Sequence, residues 1–153
     1  MDYAIDVQKL PARLVDRSGR ETSAQFFLHA MGAHLHAPET IGGRLNADIS
    51  FVPCEVDGAV ELFSLARLAY AEFAEPLPEV EELRQVGVAG VAVELELVHD
   101  EIVEGELMSA APAQSHRASD LLNSGSQRFL LLVSGDNIRY VNRSAIRRAR
   151  PKD

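Results

Sequence analysis

Val91-Ala92-Val93-Glu94-Leu95-Glu96-Leu97-Val98 alternates from residue to residue: Val91, Val93, Leu95 and Leu97 point one way, Glu94 and Glu96 the other. A period of two belongs to a half-buried strand, because successive side chains of a strand face opposite sides of its sheet. After His99-Asp100-Glu101 the pattern resumes, with Val103, Gly105 and Leu107 facing inward and Glu104 and Glu106 outward. Two such runs joined by three residues predict a hairpin. With the turn on His99-Asp100-Glu101, Glu96 is expected opposite Glu104, and Glu94 opposite Glu106.

Further along, a loop leads to Leu122-Asn123, then to the apolar run Phe129–Val133, a turn at Gly135-Asp136, and Ile138, Tyr140, Val141 and Ile146. The first half repeats this order from Glu21: Phe26-Phe27-Leu28, a loop, Leu45-Asn46, Ser50-Phe51-Val52, a turn at Asp57-Gly58, then Val60, Leu62, Phe63, Leu65 and Leu68. The offset between halves is 80 at the start, 77 at the Leu-Asn pair and 78 from the phenylalanine onward. Glu21/Glu101, Ala30/Ala110, Leu45/Leu122, Asn46/Asn123 and Phe51/Phe129 are identical. A repeated order of this kind predicts an internal duplication.

Ser18-Gly19 predicts a hairpin between 12–17 and 20–30, and Asp57-Gly58 one between 49–56 and 59–64. Pro38-Glu39-Thr40 reads as opening one short helix or turn that ends near Asn46, the helix weakened by Gly42-Gly43. Residues 65–74 read as a strand or a bent strand end. Glu75-Pro76-Leu77-Pro78 breaks the chain, and Pro78 suits the first turn of a helix over Glu79–Gln85. Arg117–Asn123 reads as a short helix capped by Ser115. The expected fold is mostly β: two related small β-barrel or roll units, each with one short helix. Residues 1–76 form the first unit, 77–90 a linker with a short helix, and 91–153 the second. Each unit is small enough that the two are expected to share a core.

The string Val103-Glu104-Gly105-Glu106-Leu107, with Ser119-Asp120-Leu121-Leu122-Asn123, Phe129-Leu130 and Asn142-Arg143-Ser144-Ala145-Ile146, resembles an uncharacterised bacterial small β domain. The ending Tyr140–Ile146 is similar in shape to the last strands of Sm-like small β-barrels. The resemblance implies an Sm-like unit and carries no activity.

Hydrophobic residues make up 46% of the 153 and charged ones 25%, the balance of a folded protein. The single cysteine, Cys54, cannot form an internal disulfide and reads as a buried structural thiol. With no basic, apolar leader and no bilayer-length apolar run, the expected location is cytoplasmic. The net charge of −8 is segregated: residues 77–116 hold 9 acidic and 1 basic side chain, residues 117–153 hold 3 acidic and 8 basic.

His29, His34 and His36 are the only clustered metal-type ligands, and no neighbouring cysteine or carboxylate completes a set of three or four. Ser115, His116, Ser119 and Asp120 bring triad residue types together, without the oxyanion hole or the sequence-distant assembly that such chemistry uses. No phosphate-cradling glycine loop or metalloprotease pattern is present. No enzyme, cofactor or metal is therefore expected. Asn46 and Asn123 read as a repeated turn device bonded to its own chain. The expected function is a non-enzymatic cytoplasmic adaptor or assembly module that acts through a protein partner or a homo-oligomer. Its candidate contacts are Glu94, Glu96, Glu104 and Glu106 against Arg139, Arg143, Arg147 and Arg148. The alternative is an Sm-like nucleic-acid-binding protein that uses the basic C-terminal strand.

Overall fold

Asp57 and Gly58 both take positive φ, 50° and 83°. That is the backbone of a two-residue hairpin turn whose twist matches its strands. The structure, a computed structural model, describes residues 7–29, 39–109, 117–123, 125, 127–135 and 137–152. The first half supplies β1 (Val7–Asp16), β2 (Glu21–His29), β3 (Phe51–Val56), β4 (Ala59–Ser64) and β5 (Leu68–Ala74). The second supplies β6 (Val91–Leu97), β7 (Ile102–Met108), β8 (Phe129–Ser134), β9 (Asn137–Asn142) and β10 (Ile146–Pro151). Helices α1 (Ile41–Leu45), α2 (Pro78–Gln85) and α3 (Ala118–Asn123) lie between strands. The expected helix on Pro78 is present. The stretch 65–74 divides into a 3-10 turn, Leu65–Arg67, and β5; likewise the 3-10 turn Arg143–Ala145 precedes β10.

The mostly β class is as expected. Among the described residues ten strands join one antiparallel sheet in the order β10-β6-β7-β8-β9-β5-β1-β2-β3-β4, which does not close. Within each half the order is the same, β5-β1-β2-β3-β4 and β10-β6-β7-β8-β9. The registers also coincide. Val15↔Glu21 in β1–β2 matches Glu96↔Ile102 in β6–β7 at an offset of 81. Phe51↔Ser64 in β3–β4 matches Phe129↔Asn142 in β8–β9 at 78. Against β1, β5 skips Ala69, and against β6, β10 skips Arg147, again 78 apart.

The β5–β9 ladder joins the halves, pairing Tyr70↔Val141, Ala71↔Tyr140, Glu72↔Arg139 and Phe73↔Ile138. Apolar side chains gather in two cores on opposite faces of this ladder. Ala71, Phe73, Ile138 and Tyr140 belong to one, with Leu14, Phe26, Ile41, Leu45, Phe129 and Leu131. Tyr70 and Val141 belong to the other, with Val93, Leu95, Leu97, Val103 and Leu132. The first core therefore draws on both halves. Alternation along β5 and β9 explains this, since neighbouring residues point to opposite faces.

Several polar side chains bond across the junction. Asn46 is not the local turn device expected: its Oδ1 accepts from Phe129 N at 2.7 Å and its Nδ2 donates to Phe129 O at 3.2 Å, 83 residues along the chain. The side chain thus acts as a short strand partner for the start of β8. Buried Asn142 donates to Leu65 O and Leu68 O, at 3.3 and 2.9 Å. Thr40 caps α1 at Gly43 N, and the Glu79 carboxylate accepts from Ile41 N and Gly42 N, at 2.8 and 3.0 Å. A Cβ at Gly42 would lie 3.1 Å from the Tyr140 ring and 3.3 Å from the Glu79 carboxylate, so any larger residue would have to push these side chains back. The glycines that weaken this helix in the sequence let it dock.

Candidate functional site

The β6–β7 hairpin departs from the expected register. Glu94 stands opposite Glu104, Glu96 opposite Ile102, and Glu106 opposite Ala92. Leu97 N donates to Glu101 O at 2.8 Å and Asp100 N to Leu97 O at 2.9 Å. The turn therefore occupies Val98–Asp100, with Asp100 left-handed at φ 73°. Aspartate tolerates that conformation, and the strand resumes one residue earlier than expected.

The acidic residues find cations within the same chain. β10 lies against β6 with Arg148↔Glu96 and Arg150↔Glu94. Glu96 pairs with Arg147 at 3.0 Å and with Arg148 at 2.8 Å, and Glu94 lies 3.7 Å from Arg150. Lys152 pairs with Glu104, and Arg147 also with Asp100. The opposed Glu94 and Glu104 would repel each other; the cations of β10 offset that. Glu106 forms no ion pair among the described residues.

The expected basic group is dispersed. Arg139 sits on the β5–β9 ladder, 3.2 Å from Glu72. Arg143 donates to Leu122 O at 2.8 Å and to Gln127 O at 3.1 Å, bracing the approach to β8. Of these four expected arginines, only Arg147 and Arg148 lie on β10. Of the other sequence candidates, His34, His36, Ser115 and His116 lie outside the described residues. His29 ends β2, where its backbone N–H donates to Glu39, and Ser119 and Asp120 are exposed on α3. Among the described residues no group of three His, Cys, Asp or Glu could hold a metal ion, and no helix is long and apolar enough to cross a membrane. Cys54 is fully buried, and burial pushes its thiol up to about 12. The unreactive thiol form is thereby favoured.

The ion pairs of β10 set a pH dependence. Arg148 and Arg147 hold Glu96 and Asp100 below their ordinary values. A carboxylate depressed in the folded state adds stability above its unfolded pKa, and that stability is lost as pH falls through the folded value. We expect β10 amides to exchange faster as pH falls below about 4, once intrinsic exchange is corrected for, while β8 amides keep their protection. Equal loosening of both strands would show that the pairs do not hold β10.

Two further features stand apart from the residues singled out in the sequence. One is the brace around buried Tyr70. Arg13 and Arg139 each lie 5.6 Å from its ring centroid, and its hydroxyl donates to Glu101 at 2.8 Å. Burial first, then Glu101, pushes the phenol up to about 12. Arg13 reaches Glu72 at 2.5 Å, so two arginines and a carboxylate tie β1, β5 and β9 together. The other feature is the outer strand β4, exposed from Ala59 to Leu62. Val60 and Leu62 are 63% and 67% exposed, and Phe51 beside them on β3 is 55% exposed. Cross-strand pairing Phe51↔Ser64, Pro53↔Leu62 and Glu55↔Val60 puts Phe51, Pro53, Leu62 and Val60 on one face. The sequence signal was the Val60-Glu61-Leu62 alternation, which reads equally as a half-buried strand. No family model, no curated protein and no solved structure matches the chain.

Proposed function

We propose that the protein is a non-enzymatic assembly module that works through protein–protein contact at the open β4 edge. The cytoplasm, where a lone thiol such as Cys54 stays reduced, is the compartment that suits it. The observation that carries this reading is the exposed apolar edge itself. A bare edge strand offers unpaired backbone donors and acceptors, and proteins ordinarily blunt it with charge, proline or a cover. The opposite edge, β10, carries Arg147, Arg148, Arg150 and Pro151, charges and a proline that bar an indiscriminate partner while its backbone stays available up to Arg150. β4 has only Glu61 among Ala59, Val60, Leu62 and Phe63. Adding a strand there supplies backbone hydrogen bonds for affinity and side-chain contacts for specificity.

We read the two halves as products of a duplication, each curled into a small Sm-like roll. The shared strand order and the constant offset of 78 from β3 and β8 onward support this. The nucleic-acid alternative is weaker. Arg139, Arg147 and Arg148 already face carboxylates, and a net charge of −8 repels a polyanion at long range. A photo-crosslinking residue at Leu62, introduced in the native cell, is expected to capture a polypeptide. The same residue at exposed Val86, at the end of α2, is expected to capture none. No adduct at Leu62 would overturn the proposal.

A further inference from the structure

We infer that the β4 edge receives the β10 edge of a second copy of this chain, so that the intermolecular contact repeats the β5–β9 junction inside each copy. The inference rests on the reading of β4 as the working surface and names its partner. The two open edges, β10 and β4, are the counterparts of β5 and β9 at the offset of 78. Each copy therefore displays at its ends the two halves of a joint that it has already made once internally.

Side chains support the match. Phe129, Leu131, Ile138 and Tyr140 are buried at the internal junction. Their counterparts are Phe51, Pro53, Val60 and Leu62, the apolar stripe beside the open edge. At the internal ladder Glu72 faces Arg139. The counterpart positions hold Arg150 and Glu61, so the same cross-strand pair recurs with its signs exchanged. Arg150 is 73% exposed and only 3.7 Å from Glu94, which leaves it able to meet a second carboxylate. The exposed Asn123 is the counterpart of Asn46, whose partner Phe129 corresponds to Phe51. Carrying the internal register over gives Arg148↔Phe63, Ala149↔Leu62 and Arg150↔Glu61 between copies. Pro151 has no N–H to donate, so the ladder ends at Arg150. The contact is heterologous, because β4 of one copy meets β10 of the next. It builds a ring where the rotation per copy closes and a filament where it does not.

Sedimentation of the full chain over a concentration series tests this. The wild type is expected to run larger than one chain. Glu61→Arg and Leu62→Lys are each expected to weaken association by about tenfold or more, the loss of a central contact, with the urea midpoint unchanged when measured at a dilution where neither wild type nor variant associates. The pair Glu61→Arg with Arg150→Glu is expected to regain association lost by Glu61→Arg alone. Mixing Leu62→Cys chains with Ala149→Cys chains is expected to give an intermolecular disulfide, since directly opposed residues lie within bridging distance. Leu62→Cys mixed with Arg148→Cys is expected to give much less. A wild type that sediments as one chain at every concentration would overturn the inference, as would assembly indifferent to the edge substitutions. If the crosslinker at Leu62 captures a different polypeptide, the working-surface reading stands and the self-partner falls. If it captures nothing, both fall.

Discussion

Phe73→Ala is expected to lower the unfolding free energy by about 4 kcal/mol, and to do so in a single transition reported by both halves. Phe73 is 2% exposed on β5. Its ring meets Phe26 edge-on at 5.5 Å and 88°, and Tyr140 at 6.5 Å and 79°. Truncating a buried phenylalanine costs about 3–5 kcal/mol through lost transfer energy and the cavity left behind. The two edge-on ring contacts, worth about 0.5–1.5 kcal/mol each, are part of that loss. The three rings come from β2, β5 and β9, so the cavity opens where the halves meet. Urea denaturation followed by amide exchange at β2 and at β8 checks this. A shift confined to β2, or two separate transitions, would show that the halves are stable independently of one another.

Glu79→Ala ranks second, with an expected loss of about 3 kcal/mol. The Glu79 carboxylate accepts from Ile41 N and Gly42 N at the start of α1, and from the Tyr140 hydroxyl. Burial pushes the Tyr140 phenol strongly upward, so it remains a proton donor across the accessible pH range. Removing the carboxylate strands three donors, and each buried unsatisfied group costs about 1–3 kcal/mol. The half-buried position of Glu79 lets water recover part of that. For a domain of this size the loss corresponds to a fall in melting temperature of roughly 10 °C. Tyr140→Phe, which strands no buried donor, is expected to cost about 1 kcal/mol. Equal losses for the two variants would mean that the α1 amides draw nothing from Glu79.

What was legible in the sequence was local. The alternation over 91–107, the turn pairs Ser18-Gly19 and Asp57-Gly58, and Pro78 at a helix start each state a backbone preference within a few residues. The order of elements in the two halves was readable for the same reason. The hairpin register at Glu94 and Glu104 was not, because it depends on which residue of the turn takes the left-handed conformation, and Asp100 rather than glycine takes it. The 3-10 turns before β5 and β10 were also missed: Leu65-Ala66-Arg67 contains no turn signal, and the cap that Asn142 gives Ser144 lies inside an otherwise strand-like run. The pairing of the acidic strand was hidden by distance. Glu96 and Arg148 are 52 residues apart, and nothing in either segment says that β10 returns to the edge beside β6. The acidic and basic segments were visible as segments; that they answer one another inside one chain is a property of topology. Exposure of β4 was unreadable for a similar reason, because Val60-Glu61-Leu62 is spelled like a strand with a neighbour.

The β5–β9 ladder also sets a timing problem for synthesis. β5 ends at Ala74 and its partner β9 begins at Asn137, 63 residues later. At about 5–20 residues per second, the ribosome leaves β5 without that partner for roughly 3–13 s. During this interval the first half presents two raw edges, β4 and β5, and the apolar rings of Phe26 and Phe73 lack the Tyr140 side of their core. Hairpins form in microseconds, so β1–β2 and β3–β4 are complete long before the second half emerges. Nascent chains on neighbouring ribosomes could then pair through their β5 edges before either has made β9. Slow decoding between Ala74 and Asn137 would lengthen that exposure, so the pace of translation across this stretch should govern how much of the product is recovered folded.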